Sequence, residues 1–222
     1  MLLRFPQPFW QAVTWLGDSG FLLPAGAWIA VWLGIRDRTR PSAWRWIFVF
    51  GVGCSLIAGS KIAFLGWGIG IAAINFTGFS GHTALSASVW PVACWLAASG
   101  QTHRARVTAS SFGLFLAACI GVSRLALHAH SVSEVASGYA LGLVVSGSFL
   151  WWQHRLPHPH LRAQLVLLSL ASTALFLRPG FAAPTQAQGA LEVISMRLAG
   201  TDRVYTREDL LAGRHGPSAG ID

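Results

Sequence analysis

The chain has 222 residues, of which 53% are hydrophobic and only 11% charged, against roughly 25% charged in a soluble globular domain. That deficit, together with 11 Trp and 24 Gly, excludes an ordinary water-soluble domain and indicates an integral membrane protein. The formal charge of +8 comes from Lys and Arg lying mostly between apolar runs, so it reads as membrane topology and lipid-surface attraction and argues against a nucleic-acid partner.

Residues 5–16 are apolar and aromatic but too short to span, and they read as an interfacial helix with aromatic anchors. Asp18 follows as a helix cap. A spanning helix needs about 20 mainly apolar residues, and six such stretches are present. They lie near 18–35, 44–63 (ending at Lys61), 82–99, 107–126, 132–152 and 161–177. Pro24 and Pro91 fall inside the first and third and are tolerated in membrane helices. The glycine-rich segment 64–79 reads as a re-entrant or interfacial loop. Cys54, Cys94 and Cys119 all lie in apolar runs and behave as small hydrophobes. The expected division is an interfacial segment 1–17, a six-helix membrane domain 18–178 and a polar, extramembrane tail 179–222. In that tail residues 191–198 suggest a short strand, and Thr206–Asp209 suggests a capped helix start.

The loops alternate in charge. Arg36, Arg38, Arg40 and Arg45 lie between the first and second spans. His103, Arg104 and Arg106 lie between the third and fourth, and His154, Arg155 and Arg162 between the fifth and sixth. Cytoplasmic loops are rich in Lys and Arg, so these three loops are expected to face the cytoplasm and both termini the outside.

Ionisable residues at membrane-helix ends are candidate functional groups. Lys61, His82, Arg124, His130 and Glu134 all fall on the outward side of this topology. Lys61 and Arg124 suit phosphate oxygens, Arg124 through its planar fork. Ser80, Gly81 and the His82 amide stand just before a helix start, where backbone N–H groups bind anions. His130 lies four residues before Glu134, so on a helix the carboxylate shares its face and accepts its ring proton. His82 is then free to protonate a leaving oxygen. His128 lacks an acid at that spacing. His154, His158 and His160, with two prolines, read as a solvated turn on the other side.

The order Lys61, then Ser80-Gly81-His82, then Ser123-Arg124-x5-His130-x3-Glu134 resembles the type 2 phosphatidic acid phosphatase family over about residues 18–178. The resemblance implies an all-α, six-helix membrane bundle that hydrolyses a lipid phosphate without metal or other cofactor. By that resemblance His130 is the nucleophile that forms a phosphohistidine, His82 the general acid and Glu134 the residue orienting His130. Lys61, Ser80, Gly81, Ser123 and Arg124 hold the phosphate. Three positions depart from the family pattern. Gly68 stands where an arginine is expected, Phe79 where a proline precedes Ser-Gly-His, and Glu134 where an aspartate is usual. On this reading one phosphate-binding cation is missing. The implied substrates are phosphatidic acid, phosphatidylglycerol phosphate or undecaprenyl diphosphate, met at the outer face of a bacterial inner membrane. The competing readings are a catalytically weakened phospholipid-binding member and a transporter or channel component.

Overall fold

A computed structural model of the chain describes residues 5–153, 171 and 185–213. The described residues are helices joined by turns. In order they are α1 (Gln7–Trp15), α2 (Ser19–Gly34), α3 (Arg40–Trp67), α4 (Gly81–Ala97), α5 (His103–Ala126), α6 (Val132–Gln153), α7 (Thr185–Ala199) and α8 (Arg207–Leu211). No named strand occurs among them, and an isolated bridge pairs Ile71 with Phe76. Four stretches are long and apolar enough to cross a membrane: Gln7–Gly34, Asp37–Trp67, His103–Ala126 and Val132–Gln153. An all-α membrane bundle follows, as the composition indicates. The sixth expected span, near 161–177, lies outside the described residues.

The local chemistry sets the helix ends. Pro6 precedes α1, with Pro8 in its first turn, and Asp18 caps α2 by accepting the Gly20 N–H at 2.7 Å. Thr102 caps α5 through the Ala105 N–H. Both are oxygen side chains on otherwise orphaned donors. Pro41 opens α3, where its missing N–H costs nothing. At its other end α3 does not stop at Lys61. It runs six residues further, to Trp67, because Gly68 adopts a left-handed conformation (φ 67°) and returns its N–H to Phe64 O at 2.8 Å. Lys61 therefore sits inside a helix and not at its tip.

α4 is the centre of the bundle. It packs against α2, α3, α5 and α6, and 12 of its 17 residues are buried. Several of its buried residues are small (Ala84, Ser86, Ala87, Ser88), which lets neighbouring backbones come close. Gly142 of α6 shows how close: a Cβ there would lie 2.5 Å from both Ala84 O and the Ala87 methyl. The main core cluster runs from Leu22, Ile29 and Leu33 of α2 through Trp46 of α3 and Leu96 of α4 to Phe149 of α6. Trp46 ties α3 to α2 by donating its indole N–H to Gly26 O at 2.8 Å. Phe48, Phe112, Phe115 and Val144 point outward and are exposed, as lipid-facing side chains are.

The tail differs from its sequence reading in one respect. Residues 191–198 are helical, within α7, and not a strand. Its Ala, Gln, Glu, Leu, Met and Arg residues are strong helix formers, and α7 packs along α3 with Ser195 fully buried. The capped start at Thr206 is present: Thr206 and Asp209 form a reciprocal capping box at the head of α8. A short extended link joins α7 to α8, and there Tyr205 donates its N–H to Leu65 O at 2.9 Å. Two independent attachments thus fix the tail on the end of α3.

Candidate active site

Four helix ends and the tail enclose one cavity of about 1330 Å³. Lys61 of α3, His82 of α4, Arg124 of α5 and His130 of the α5–α6 loop all line it. They lie at sequence separations that only this packing brings together. The walls add Thr14, Trp15 and Asp18 from the N-terminal segment, Phe64 and Leu65 from α3, and Gln188, Glu192 and Arg207 from the tail.

His130 Nδ1 lies 2.7 Å from Glu134 Oε2. The pair is one helical turn apart, as their spacing requires. Glu134 is fully buried and His130 has 15% of its side chain exposed. Burial holds the His130 imidazole below its ordinary pKa, outweighing the hydrogen bond to Glu134 that acts in the other direction. The ring is therefore neutral near pH 7. With Nδ1 engaged by Glu134, Nε2 is the nitrogen left for chemistry.

Glu134 has more partners than His130. Oε2 also accepts the Ser131 N–H at 3.1 Å. Oε1 accepts the Thr77 N–H at 2.9 Å and the Thr77 hydroxyl. Arg207 then reaches in from α8, its Nη2 at 2.9 Å from both carboxylate oxygens. The other guanidinium nitrogen, Nη1, donates to Asn75 Oδ1 at 2.6 Å and Asn75 O at 3.2 Å. A buried carboxylate is thereby saturated by a backbone loop, a histidine and a cation.

His82 Nε2 stands 3.7 Å from Asp18 Oδ2, too far for a hydrogen bond but near enough for the carboxylate to orient it. Arg124 donates from Nη1 to the Thr14 hydroxyl at 2.9 Å, while its buried Nε has no partner. Gly81 opens α4. Ser80 and Ser123 are fully buried and are not among the residues lining the cavity: the Ser80 hydroxyl pairs with Thr83 at 3.0 Å, and the Ser123 hydroxyl donates to Ile120 O at 2.6 Å. Ser80 also ties α4 to α6 through its N–H on Glu134 O at 3.1 Å. His128, exposed and in a left-handed turn (φ 53°), does not line the cavity.

Comparison with known proteins agrees with this geometry. The sequence pattern of the PAP2 superfamily matches residues 66–157. That stretch carries His82, Arg124, His130 and Glu134, and the resemblance drawn from their spacing points the same way. A Klebsiella pneumoniae protein described as an uncharacterized 22.5 kDa protein in the cps region is 40% identical over 204 residues, covering 90% of this chain and 97% of that one. The chain belongs to the PAP2 superfamily. Members of this superfamily are phosphatases acting on phosphate esters. No solved structure matches the chain.

Seen as a PAP2 member, the chain explains its own departure at position 68. The left-handed backbone there disfavours ordinary side chains, and a Cβ would lie 2.8 Å from the Tyr205 ring. Arginine there is strained. A cation nonetheless reaches the cavity from Arg207, two residues beyond Tyr205, so the cavity holds a guanidinium that the order of motifs does not reveal. Sequence reasoning missed Arg207 because its partner lies 73 residues away. The available signal was the tail's capped helix start next to an arginine, together with a buried acid that needed a cation.

Proposed function

We propose that the chain is a membrane lipid-phosphate phosphatase that works through a phosphohistidine on His130. The observation that carries this reading is one cavity bringing together Lys61, His82, Arg124 and His130, with His130 Nδ1 held by buried Glu134. Lys61 and Arg124, with the backbone N–H groups at Gly81 and His82, neutralise the phosphate oxygens. His130 Nε2 attacks phosphorus, an N–P bond forms and the P–O ester bond breaks. His82, held as the imidazolium by the charge of the bound phosphate, gives its proton to the leaving oxygen. Water then attacks the phosphohistidine and gives a proton to His82. The N–P bond breaks, inorganic phosphate leaves and both histidines return to their starting state. Glu134 keeps the Nδ1 proton throughout and stabilises the charge that develops on the ring. Ser80 and Ser123 act from behind, at the start of α4 and in the last turn of α5.

The lipid part of the reading rests on the size and walls of the cavity. It exceeds what a phosphate alone fills, and Trp15, Phe64 and Leu65 give it an apolar side. The substrate classes are phosphatidic acid, phosphatidylglycerol phosphate and undecaprenyl diphosphate. Arg36, Arg38, Arg104 and Arg106 lie at the far ends of the helices that carry the site, which supports a site facing the outside of a bacterial inner membrane.

The test is phosphate release by the purified protein in detergent, with EDTA present, across a panel of lipid mono- and diphosphates. Release is expected from the wild type and absent from His130→Ala. His82→Ala is expected to lose about 10²–10⁴-fold, the usual worth of general acid catalysis. Turnover surviving in His130→Ala removes the nucleophile assignment, and turnover lost to EDTA removes the metal-independent mechanism.

A further inference from the structure

We infer that Arg207, carried in by the C-terminal tail, is a positioning residue for the reaction: it fixes the Glu134 carboxylate and compensates its charge, so that His130 stays a neutral nucleophile. The inference rests on the phosphatase reading above and extends the machinery beyond the motif residues.

Three observations carry it. First, Arg207 bridges two elements at once, with Nη2 on both Glu134 oxygens and Nη1 on the backbone and side chain of Asn75. A guanidinium that shares one nitrogen between both carboxylate oxygens and anchors the other on Asn75 fixes orientation as well as charge. Second, its own position is fixed. The Thr206–Asp209 capping box sets the head of α8, and the Tyr205 N–H holds Leu65 O next door. Third, the carboxylate it touches is the one that His130 depends on, at 2.7 Å. Glu134 is one methylene longer than aspartate, and its two oxygens need separate restraint. Thr77 holds Oε1, Ser131 and His130 share Oε2, and Arg207 spans both oxygens, which fixes the carboxylate plane with Oε2 towards His130.

The charge balance around His130 follows. Lys61 of α3, His82 of α4 and Arg124 of α5 share the cavity with it, as do the carboxylates of Asp18 and of Glu192 on α7, while Glu134 of α6 bonds it directly with Arg207 behind. The Glu134–Arg207 pair is close to neutral as a unit. Without Arg207, His130 would meet an uncompensated anion, which favours the imidazolium. A protonated His130 cannot attack phosphorus. Loss of Arg207 therefore moves the acid limb of kcat/KM to higher pH.

The experiment uses the full chain in detergent micelles. The ring of His130 is followed by nitrogen-edited NMR against pH, its resonance assigned by its loss in His130→Ala, beside the pH profile of kcat/KM. In Arg207→Gln the His130 midpoint and the acid limb are both expected to rise by about one pH unit, the scale of a unit charge at about 4–6 Å. In Arg207→Lys the charge remains and the midpoint stays near the wild type, while turnover falls because one ammonium cannot grip Asn75 and both Glu134 oxygens. Thr206→Ala, which breaks the capping box, is the milder variant. It shifts the midpoint in the same direction by less, and it decides the matter if Arg207→Gln does not fold. An unchanged midpoint in the folded variant overturns the inference. A wild type that releases no phosphate while the His130 midpoint still moves would instead overturn the phosphatase reading and leave the positioning role standing.

Discussion

Replacing Gly68 by arginine restores the residue that the family pattern expects, and the structure says this will harm the protein. Gly68 sits at φ 67°, where an ordinary side chain costs about 1–2 kcal/mol. Its new Cβ would stand 2.8 Å from the Tyr205 ring, so the ring must swing away. That movement endangers the Tyr205 N–H bond to Leu65 O, worth about 1 kcal/mol. The sum is about 2–3 kcal/mol, which for a chain of this size lowers the melting temperature by about 5–10 °C. Turnover should fall as well, because Arg207 follows Tyr205 by two residues and is displaced with it. The assay is thermal unfolding in detergent, with steady-state phosphate release on mono- and diphosphate lipids. Gly68→Ala carries the same backbone strain and Cβ contact without the guanidinium, so it separates those costs from the effect of the added charge. A Gly68→Arg protein with unchanged melting and faster turnover would refute the reasoning, showing that position 68 has room and that the cavity lacked a cation.

Other perturbations have defined outcomes. The acid limb of kcat/KM should lie below pH about 6.5, the ordinary histidine value, because burial lowers the His130 pKa and the neutral ring persists to lower pH; a limb above that value contradicts the assignment. Glu134→Asp shortens a carboxylate that serves both His130 and Arg207, so one contact must lengthen, and kcat should fall about 10- to 100-fold on the loss of one charged hydrogen bond. Gly142→Val drives a side chain into Ala84 O and Ala87 and should destabilise the bundle by about 1–3 kcal/mol or more, read as a lower melting temperature with no change in the pH profile of the surviving protein.

Much of this was legible from sequence because the signals are local. Four of the expected spans were readable since a membrane helix must satisfy its own backbone, leaving a run of apolar residues as its trace, whereas the third, near 82–99, is the 17-residue α4 and is not among the stretches long and apolar enough to cross. α2, α4, α5 and α6 fall within a few residues of their expected ends. His130 and Glu134 were readable as a pair because i and i+4 share a helix face. What was hidden depends on approach between distant segments. The extension of α3 past Lys61 turns on one left-handed glycine, and apolar residues on both sides of it mask the boundary. Residues 191–198 alternate weakly enough to suggest a strand, yet helix formers and the face of α3 decide for a helix. The burial of Ser80 and Ser123 and the reach of Arg207 depend on packing that no spacing encodes.

The tail's attachment has a consequence for the order in which the protein becomes competent. Chains fold as they are made, at about 5–20 residues per second, and Glu134 precedes Arg207 by 73 residues. For roughly 4–15 s at that rate, the nascent bundle holds a carboxylate whose counter-charge has not yet been synthesised. The histidine beside it is then biased toward its protonated, unreactive form. That bias lifts only when α8 docks and Arg207 reaches Glu134, so the last segment to be made among the described residues completes the charge balance of the cavity.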